Sequence, residues 1–191
     1  MGAAVLVPVK AFSRAKLRLA PALDAPARAE LARRMAGHVV AIAWPLPVSV
    51  VCDDTEVAAW AVERGATVVW APGRGLDAAV ASGVSYVGGL GFSRVIVAHA
   101  DLPLARSLED LAAGEGVLLV PDRRDDGTNV AVVPANAGFR FAYGPGSFGR
   151  HRREAERLGL AVDVRRAPEL AWDVDVPADL ALPRHPLLPC R

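Results

Sequence analysis

The chain has little cysteine: Cys52 and Cys190 are the only two in 191 residues. They form no CxxC pair, which argues against a disulfide framework and leaves no zinc or iron–sulfur pattern. Both are expected as free thiols in a reducing cytoplasm. Long apolar runs are missing too. None approaches the roughly 18 residues needed to span a bilayer. Residues 1–8 read as a strand, without the basic start or cleavage site of a signal peptide. Nor is there an excess of one charge. Lys plus Arg number 22, Asp plus Glu 21, and the net charge is +1, which gives no argument for nucleic acid or an anionic membrane as a partner. Lysine is scarce while alanine and arginine are abundant, the usage of a high-GC genome. No GxGxxG fingerprint or Walker loop occurs. None of the four histidines is placed convincingly as a general base, and His38 reads as a surface or packing residue.

What is present is 52% hydrophobic and 23% charged, enough apolar sequence for one compact α/β domain. Apolar runs at 3–9, 48–52, 67–70 and 94–98 read as strands. Residues 25–43, 56–64, 75–87 and 104–113 read as helices between or after them. Asp53-Asp54-Thr55 offers an N-cap for the second helix, with a site-facing role for the two aspartates as the alternative, and Pro26 suits the first turn of the first. Strands that alternate with helices imply a parallel sheet of Rossmann-like type, covered on both faces as a three-layer sandwich. The pair 117–120 and 130–133 adds an antiparallel element. A helix at 147–158, a strand at 161–164 and a short helix at 178–182 follow. With no repeat or linker, a single domain is expected over residues 1–182, followed by a proline-rich, mobile tail at 183–191.

The segment 117–151 is the most specific. Its two apolar runs flank Pro121–Asn129, which is rich in Asp and Arg and ends Gly127-Thr128-Asn129. A second turn, Gly144-Pro145-Gly146-Ser147, opens a helix. Amides at a helix N-terminus bind anions, and serine adds a hydroxyl. Taken singly, Asp-Gly is an ordinary turn and Gly-Pro-Gly-Ser an ordinary N-cap; together they suggest a pocket for something negatively charged. Early in the chain, the first strand runs through Pro8 into a loop with Lys10, Lys16 and Arg18. These cations suit a triphosphate or form a solvated basic face. Gly73 and Gly75 let backbone approach a base or phosphate, though Gly-x-Gly alone is weak evidence. Asp101 follows the fourth strand, where open α/β sheets bind ligands, and is a candidate Mg²⁺ ligand; the alternative is a helix cap. Asp173 and Asp175 alternate, so on extended chain they share one side and can hold a metal. Asp175 could equally cap the last helix.

In order along nearly the whole chain, these pieces resemble a known family. They are Val7-Pro8-Val9-Lys10 with Lys16-Leu17-Arg18-Leu19, Gly75-Leu76-Asp77-Ala78-Ala79, Ala100-Asp101-Leu102-Pro103 and Pro121-Asp122-Arg123. Further along come Asp126-Gly127-Thr128-Asn129, Gly144-Pro145-Gly146-Ser147-Phe148 with Arg150-His151, and Asp173-Val174-Asp175-Val176-Pro177-Ala178-Asp179-Leu180. The sequence is similar to the guanylyltransferases of coenzyme F420 biosynthesis, the CofC/FbiD group. The DGTN and GPGSF blocks are fairly specific to it, whereas the N-terminal and DLP blocks belong to the wider nucleotidyltransferase class. The resemblance implies a MobA-like, GT-A-type fold. It also implies transfer of GMP from GTP to a three-carbon phosphorylated acid, phosphoenolpyruvate or 2-phospho-L-lactate, with release of pyrophosphate. The high-GC composition tilts the choice to phosphoenolpyruvate by analogy. Two departures are visible: Asp77 stands where the family has Asn, and His99 precedes Ala100-Asp101 where smaller or apolar residues are common.

The roles expected on this basis are as follows. Asp101 and Asp173 or Asp175 hold Mg²⁺ on the triphosphate. Lys16, with Lys10 or Arg18, steadies the phosphate charge, Lys16 and Asp101 being the catalytic pair. Pro8, Gly73, Gly75 and Asp77 lie by the nucleotide, and Thr128, Asn129, Gly144 and Ser147 bind the acceptor. The acceptor oxygen is already ionised, so no general base is needed. A homodimer and hand-over of product to the next enzyme of the pathway are further expectations. Two other readings stand beside this one: a nucleotidyltransferase acting on a molybdopterin cofactor or a sugar phosphate, and a non-catalytic nucleotide-binding domain.

Overall fold

The computed structural model describes residues 2–181; the tail at 183–191, with Cys190, lies outside the described residues. Seven strands, β1 (Ala3–Pro8), β2 (Val48–Cys52), β3 (Thr67–Trp70), β4 (Arg94–Ala98), β5 (Val117–Pro121), β6 (Thr128–Pro134) and β7 (Val162–Val164), form one sheet in the order β3-β2-β1-β4-β6-β5-β7. β1 pairs in parallel with β2 and β4, β2 with β3, and β5 with β7. β6 is antiparallel to both β4 and β5, so it alone runs against the rest.

Five α-helices cover this sheet: α1 (Ala25–Ile42), α2 (Thr55–Glu63), α3 (Gly75–Gly89), α4 (Ser147–Arg157) and α5 (Pro168–Ala171). Side-chain alternation along the strands sorts the core into two layers. Val5, Val7 and Ile96 point to the side of α1, α2 and α5, against Val39, Trp60 and Leu170. Ala4, Leu6, Val95 and Val97 point the other way, against Val80, Val84 and Val87 of α3 and Ala155 of α4. Both faces are covered, which is why the central strands are near-continuous apolar runs. The expected three-layer α/β sandwich is thus the observed one. Asp24 and Asp54 cap α1 and α2, accepting from the amides of Ala27 at 2.8 Å and Val57 at 3.1 Å.

Two expected helices differ. Residues 104–113 do not form an α-helix; only a 3₁₀ turn, Glu109–Leu111, is found there. Ser107 Oγ accepts from the Glu109 amide at 3.1 Å, and the Leu108 amide donates to Ile42 O at 3.4 Å, so the backbone donors are diverted from a helical ladder. The last helix is a 3₁₀ turn, Pro177–Ala181. Among the described residues no helix is long and apolar enough to cross a membrane.

The reversal of β6 matters for the site. Ala98, at the end of β4, is paired with Val130, near the start of β6. The start of β6 therefore arrives at the sheet edge where β1 and β4 end.

Candidate active site

After β1 the chain makes two short 3₁₀ turns, Phe12–Arg14 and Leu17–Leu19. Phe12 and Leu19 are buried anchors; the Phe12 ring meets Trp60 edge-on at 5.3 Å. Between them Lys16 adopts a left-handed backbone, φ 55° and ψ 38°, a conformation that disfavours a side chain by about 1 kcal/mol or more. The turn delivers its ammonium group to two carboxylates. Lys16 Nζ pairs with Asp101 Oδ2 and lies 3.3 Å from Asp175 Oδ1. The side chains of Lys16 and Asp101 are only 12% and 17% exposed. Burial lowers the lysine pKa, but the charges of Asp101 and Asp175 outweigh it and the net direction is up. Burial likewise raises Asp101, and the Lys16 charge overrides it, so this carboxyl ends below its usual value. Both groups are charged at neutral pH. Arg18 is more peripheral, 73% exposed, with Nη1 3.6 Å from Asp175 Oδ2.

Two features of this wall are unbalanced. Asp101 Oδ1 is buried with no hydrogen-bond partner. Asp173 is pushed up to about 6, first by burial and then by the charge of Asp101. The segment carrying Asp173 and Asp175 is held from below. Asp179, 1% exposed, accepts from the amides of Asp175 at 2.7 Å and Val176 at 2.8 Å through Oδ2, while Oδ1 pairs with Arg123. The capping carboxylate of this turn is Asp179, and Asp175 is left to face Lys16.

The facing wall comes from the loop between β5 and β6 and from the start of α4. Asp122 Oδ1 accepts from the amides of Arg124 and Asp126, both at 2.9 Å. Asp126 in turn accepts from Gly146 N at 3.0 Å through Oδ1 and from Phe148 N at 3.0 Å through its carbonyl. Ser147 N donates to Gly144 O at 3.0 Å. The amides of Gly146, Ser147 and Phe148, expected to meet an anion, are engaged within the protein, and the wall lines the cleft with Thr128 and Ser147 beside Asp122, Arg124, Asp126 and Tyr143. Thr128 and Ser147 are almost fully buried.

A cleft of about 840 Å³ joins the two walls. Of the residues singled out in the sequence, Pro8, Lys10, Lys16, Arg18, Gly75, Asp101, Thr128, Asn129, Gly144, Ser147, Asp173 and Asp175 all line it. Lys10 and Lys16 are the only lysines of the sequence. Gly73 and Asp77 are not part of its lining. The Asp77 carboxylate accepts instead from the Tyr143 amide at 2.8 Å, tying α3 to the Gly144 turn. The Asn129 side-chain amide donates to Leu170 O at 3.0 Å, which makes it a tether between β6 and α5.

The chain matches the family model "Guanylyl transferase CofC like" over residues 3–182. The chain belongs to this CofC-like family. A phosphoenolpyruvate guanylyltransferase of Sphaerobacter thermophilus is 36% identical over 184 residues, covering 92% of this chain and 89% of that one. One from Roseiflexus castenholzii is 38% identical over 180 residues, covering 92% and 84%. Among solved structures, a Desulfovibrio desulfuricans protein described as a nucleotide-diphospho-sugar transferase matches with a TM-score of 0.77 at 17% identity, over 94% of this chain and 85% of that one. A nucleotidyl transferase from Methanothermobacter matches with a TM-score of 0.63 at 17% identity, over 93% and 94%. The CofC-like chain is therefore a nucleotidyltransferase of the guanylyltransferase family, built on the expected fold.

Three residues of this CofC-like site were not singled out as site residues in the sequence. His99 lies in the cleft wall with Nε2 buried and unpartnered, its ring centroid 5.0 Å from that of Tyr143. Tyr143 has a buried, unpartnered hydroxyl in the same wall. His151, fully buried behind the wall, bonds Thr128. The only sequence signal for them was their place within or beside the family motifs.

Proposed function

We propose that this enzyme transfers GMP from GTP to phosphoenolpyruvate, releasing pyrophosphate, in coenzyme F420 biosynthesis; 2-phospho-L-lactate is the second acceptor to test. The observation that carries the reading is the two-sided cleft, with Lys16, Asp101 and Asp175 on one wall and the hydroxyls of Thr128 and Ser147 on the other. The name carried by its relatives, phosphoenolpyruvate guanylyltransferase, supports the choice of acceptor.

A divalent cation, Mg²⁺ in our reading, fits the first wall. An unpartnered carboxylate oxygen on Asp101 and a carboxyl on Asp173 raised to about 6 are the marks of acidic groups short of positive charge. Asp101 would hold it through that free oxygen, together with Asp173, while Lys16 pairs with the other oxygen of Asp101 and with Asp175. Among the described residues no three His, Cys, Asp or Glu side chains form a ready cation site. Mg²⁺ commonly takes one or two carboxylates and completes its shell with phosphate oxygens and water. Its chemistry there is neutralisation of triphosphate charge.

The chemistry asks little else of the side chains. An ionised phosphate oxygen of the acceptor attacks the α-phosphorus of GTP. A P–O bond forms there as the bridging bond to the β-phosphate breaks, and pyrophosphate leaves with the electron pair. Positioning and positive charge from Lys16 and Lys10 lower the barrier. The product is a mixed phosphoanhydride, labile enough that we propose direct hand-over to the enzyme that consumes it.

The test is pyrophosphate release by the full chain with GTP and Mg²⁺, offered phosphoenolpyruvate and 2-phospho-L-lactate in parallel. The product is captured by the next pathway enzyme and its deazaflavin acceptor. Turnover with phosphoenolpyruvate is expected. Turnover only with 2-phospho-L-lactate would correct the acceptor, and silence with both while GTP binds would overturn the assignment of the Thr128–Ser147 wall.

A further inference from the structure

His151 sits one turn into α4, fully buried, among the rings of Phe139, Phe141 and Tyr143 at centroid distances of 5.7, 6.0 and 5.0 Å. An apolar nest of this kind is a costly place for an imidazole unless both ring nitrogens are satisfied. Both are. The Ala142 amide donates to Nε2 at 3.0 Å, and Nδ1 lies 2.9 Å from Thr128 Oγ1. A backbone N–H can only donate, so Nε2 must offer its lone pair. The neutral ring then carries its proton on Nδ1. Burial first, and the Arg150 charge second, hold the ring neutral by pushing its pKa down to about 4.

It follows that Nδ1–H donates to the Thr128 oxygen. The hydroxyl has one donor hydrogen and two lone pairs. With an incoming bond on the oxygen, its own hydrogen is left to donate elsewhere, and Thr128 lines the cleft. We infer that His151 is a positioning residue that fixes the Thr128 hydroxyl as a hydrogen-bond donor to an anionic oxygen of the acceptor. This rests on the acceptor site proposed above. An unsupported threonine hydroxyl rotates freely between donor and acceptor roles. The chain from Ala142 N–H through His151 to Thr128 removes that freedom and polarises the hydroxyl towards negative charge. The relay also links the strand that carries Thr128 to the helix that carries Ser147.

The first readout is the histidine tautomer in the ¹⁵N-labelled wild-type protein by long-range ¹H–¹⁵N correlation. An Nδ1–H, Nε2-unprotonated signal for His151 is expected, and the opposite tautomer overturns the inference without any variant. The second is steady-state kinetics. Thr128→Val and His151→Phe should each raise the acceptor KM about tenfold or more, the scale of one hydrogen bond to a charged group, with the KM for GTP within about twofold. The double variant should be no worse than either single one, and His151→Asn, which keeps a donor near the Nδ1 position, should recover most of the loss. If Thr128→Val raises the acceptor KM while His151→Phe, folded, does not, the positioning role fails and the acceptor site stands. If Thr128→Val leaves the acceptor KM unchanged, the acceptor site itself is wrong, and the inference falls with its premise.

Discussion

Lys16 and Asp101 stand 85 residues apart in the sequence and meet as an ion pair in side chains that are 12% and 17% exposed. Lys16 also reaches Asp175 at 3.3 Å, whereas among the described residues Asp101 has Lys16 as its one ion-pair partner. Lys16→Met should leave Asp101, Asp173 and Asp175 without a nearby ammonium group and destabilise the fold by about 1–3 kcal/mol, the usual cost of a partly buried charge left unpaired. Adding Asp101→Asn should recover part of that loss. Chemical denaturation of the two single variants and the double one checks it; full additivity would mean that the pair is not coupled. In turnover, Asp101→Asn alone should lower kcat/KM by about a hundredfold or more while the fold is retained.

Asp179→Ala should destabilise more than an ordinary surface change, by about 2–4 kcal/mol, although the residue touches no ligand. It leaves the amides of Asp175 and Val176 unpaired and strips Arg123 of its carboxylate partner, and each such loss costs about 1–3 kcal/mol. Urea denaturation reads the stability. A change under about 0.5 kcal/mol would show that the turn holds without it.

His151 makes a pH-dependent contribution whose sign is fixed. Its folded pKa, about 4, lies below the value near 6.5 of an unfolded histidine. The unfolded chain therefore binds the extra proton between these values, and stability falls as pH drops from about 6.5 to about 4, by about 3 kcal/mol in full. Besides burial, Arg150 lowers this pKa, as does His99, while Asp77 and Glu154 raise it. Asp173, at about 6, acts in the opposite sense over part of the same range. The difference between wild-type and His151→Phe stability, followed against pH, isolates the histidine. A flat difference would refute the neutral buried ring.

Gly83→Ala tests the packing of α3 on β1. Helix propensity alone favours alanine by about 1 kcal/mol. The added Cβ, however, would come 2.6 and 2.8 Å from the two methyl carbons of the fully buried Leu6, and overpacking of this kind costs about 1–3 kcal/mol. The clash wins, so a net loss of about 1–2 kcal/mol is expected, read as a lower Tm. A stabilised variant would mean that Leu6 can move aside.

The sheet and the two walls of the site were legible because they rest on local signals. Apolar runs of Val, Leu and Ile mark β1, β4, β5 and β6, and aspartates stand where α1 and α2 begin. The missed helix at 104–113 shows the limit. Leu104, Leu108 and Leu111 recur at near-helical spacing, but Leu108 and Leu111 reach the core from an irregular chain whose amides bond Ser107 and the distant Ile42. Spacing records which residues are buried, not which hydrogen bonds bring them there. The motifs of Asp77 and Asn129 point to ligand contacts; in the fold Asp77 lies outside the cleft lining and bonds the Tyr143 amide, 66 residues away, while Asn129 lines the cleft and its side chain bonds the Leu170 carbonyl, 41 residues away. His151 is the converse: its meaning depends on Thr128 and on the Ala142 amide, and no window of sequence contains that triangle together with its tautomer.

The reversed strand β6 has a consequence for how such an enzyme changes over time. Because the start of β6 arrives beside the end of β4, the wall bearing Thr128 and Ser147 is written in one stretch of chain, while the facing wall is gathered from Lys16 and Asp101 before it and Asp173 and Asp175 after it. Substitutions in that one stretch can reshape one half of the cleft and leave the other half's ion pair intact. A fold wired this way can try new partners for the same donor nucleotide one loop at a time.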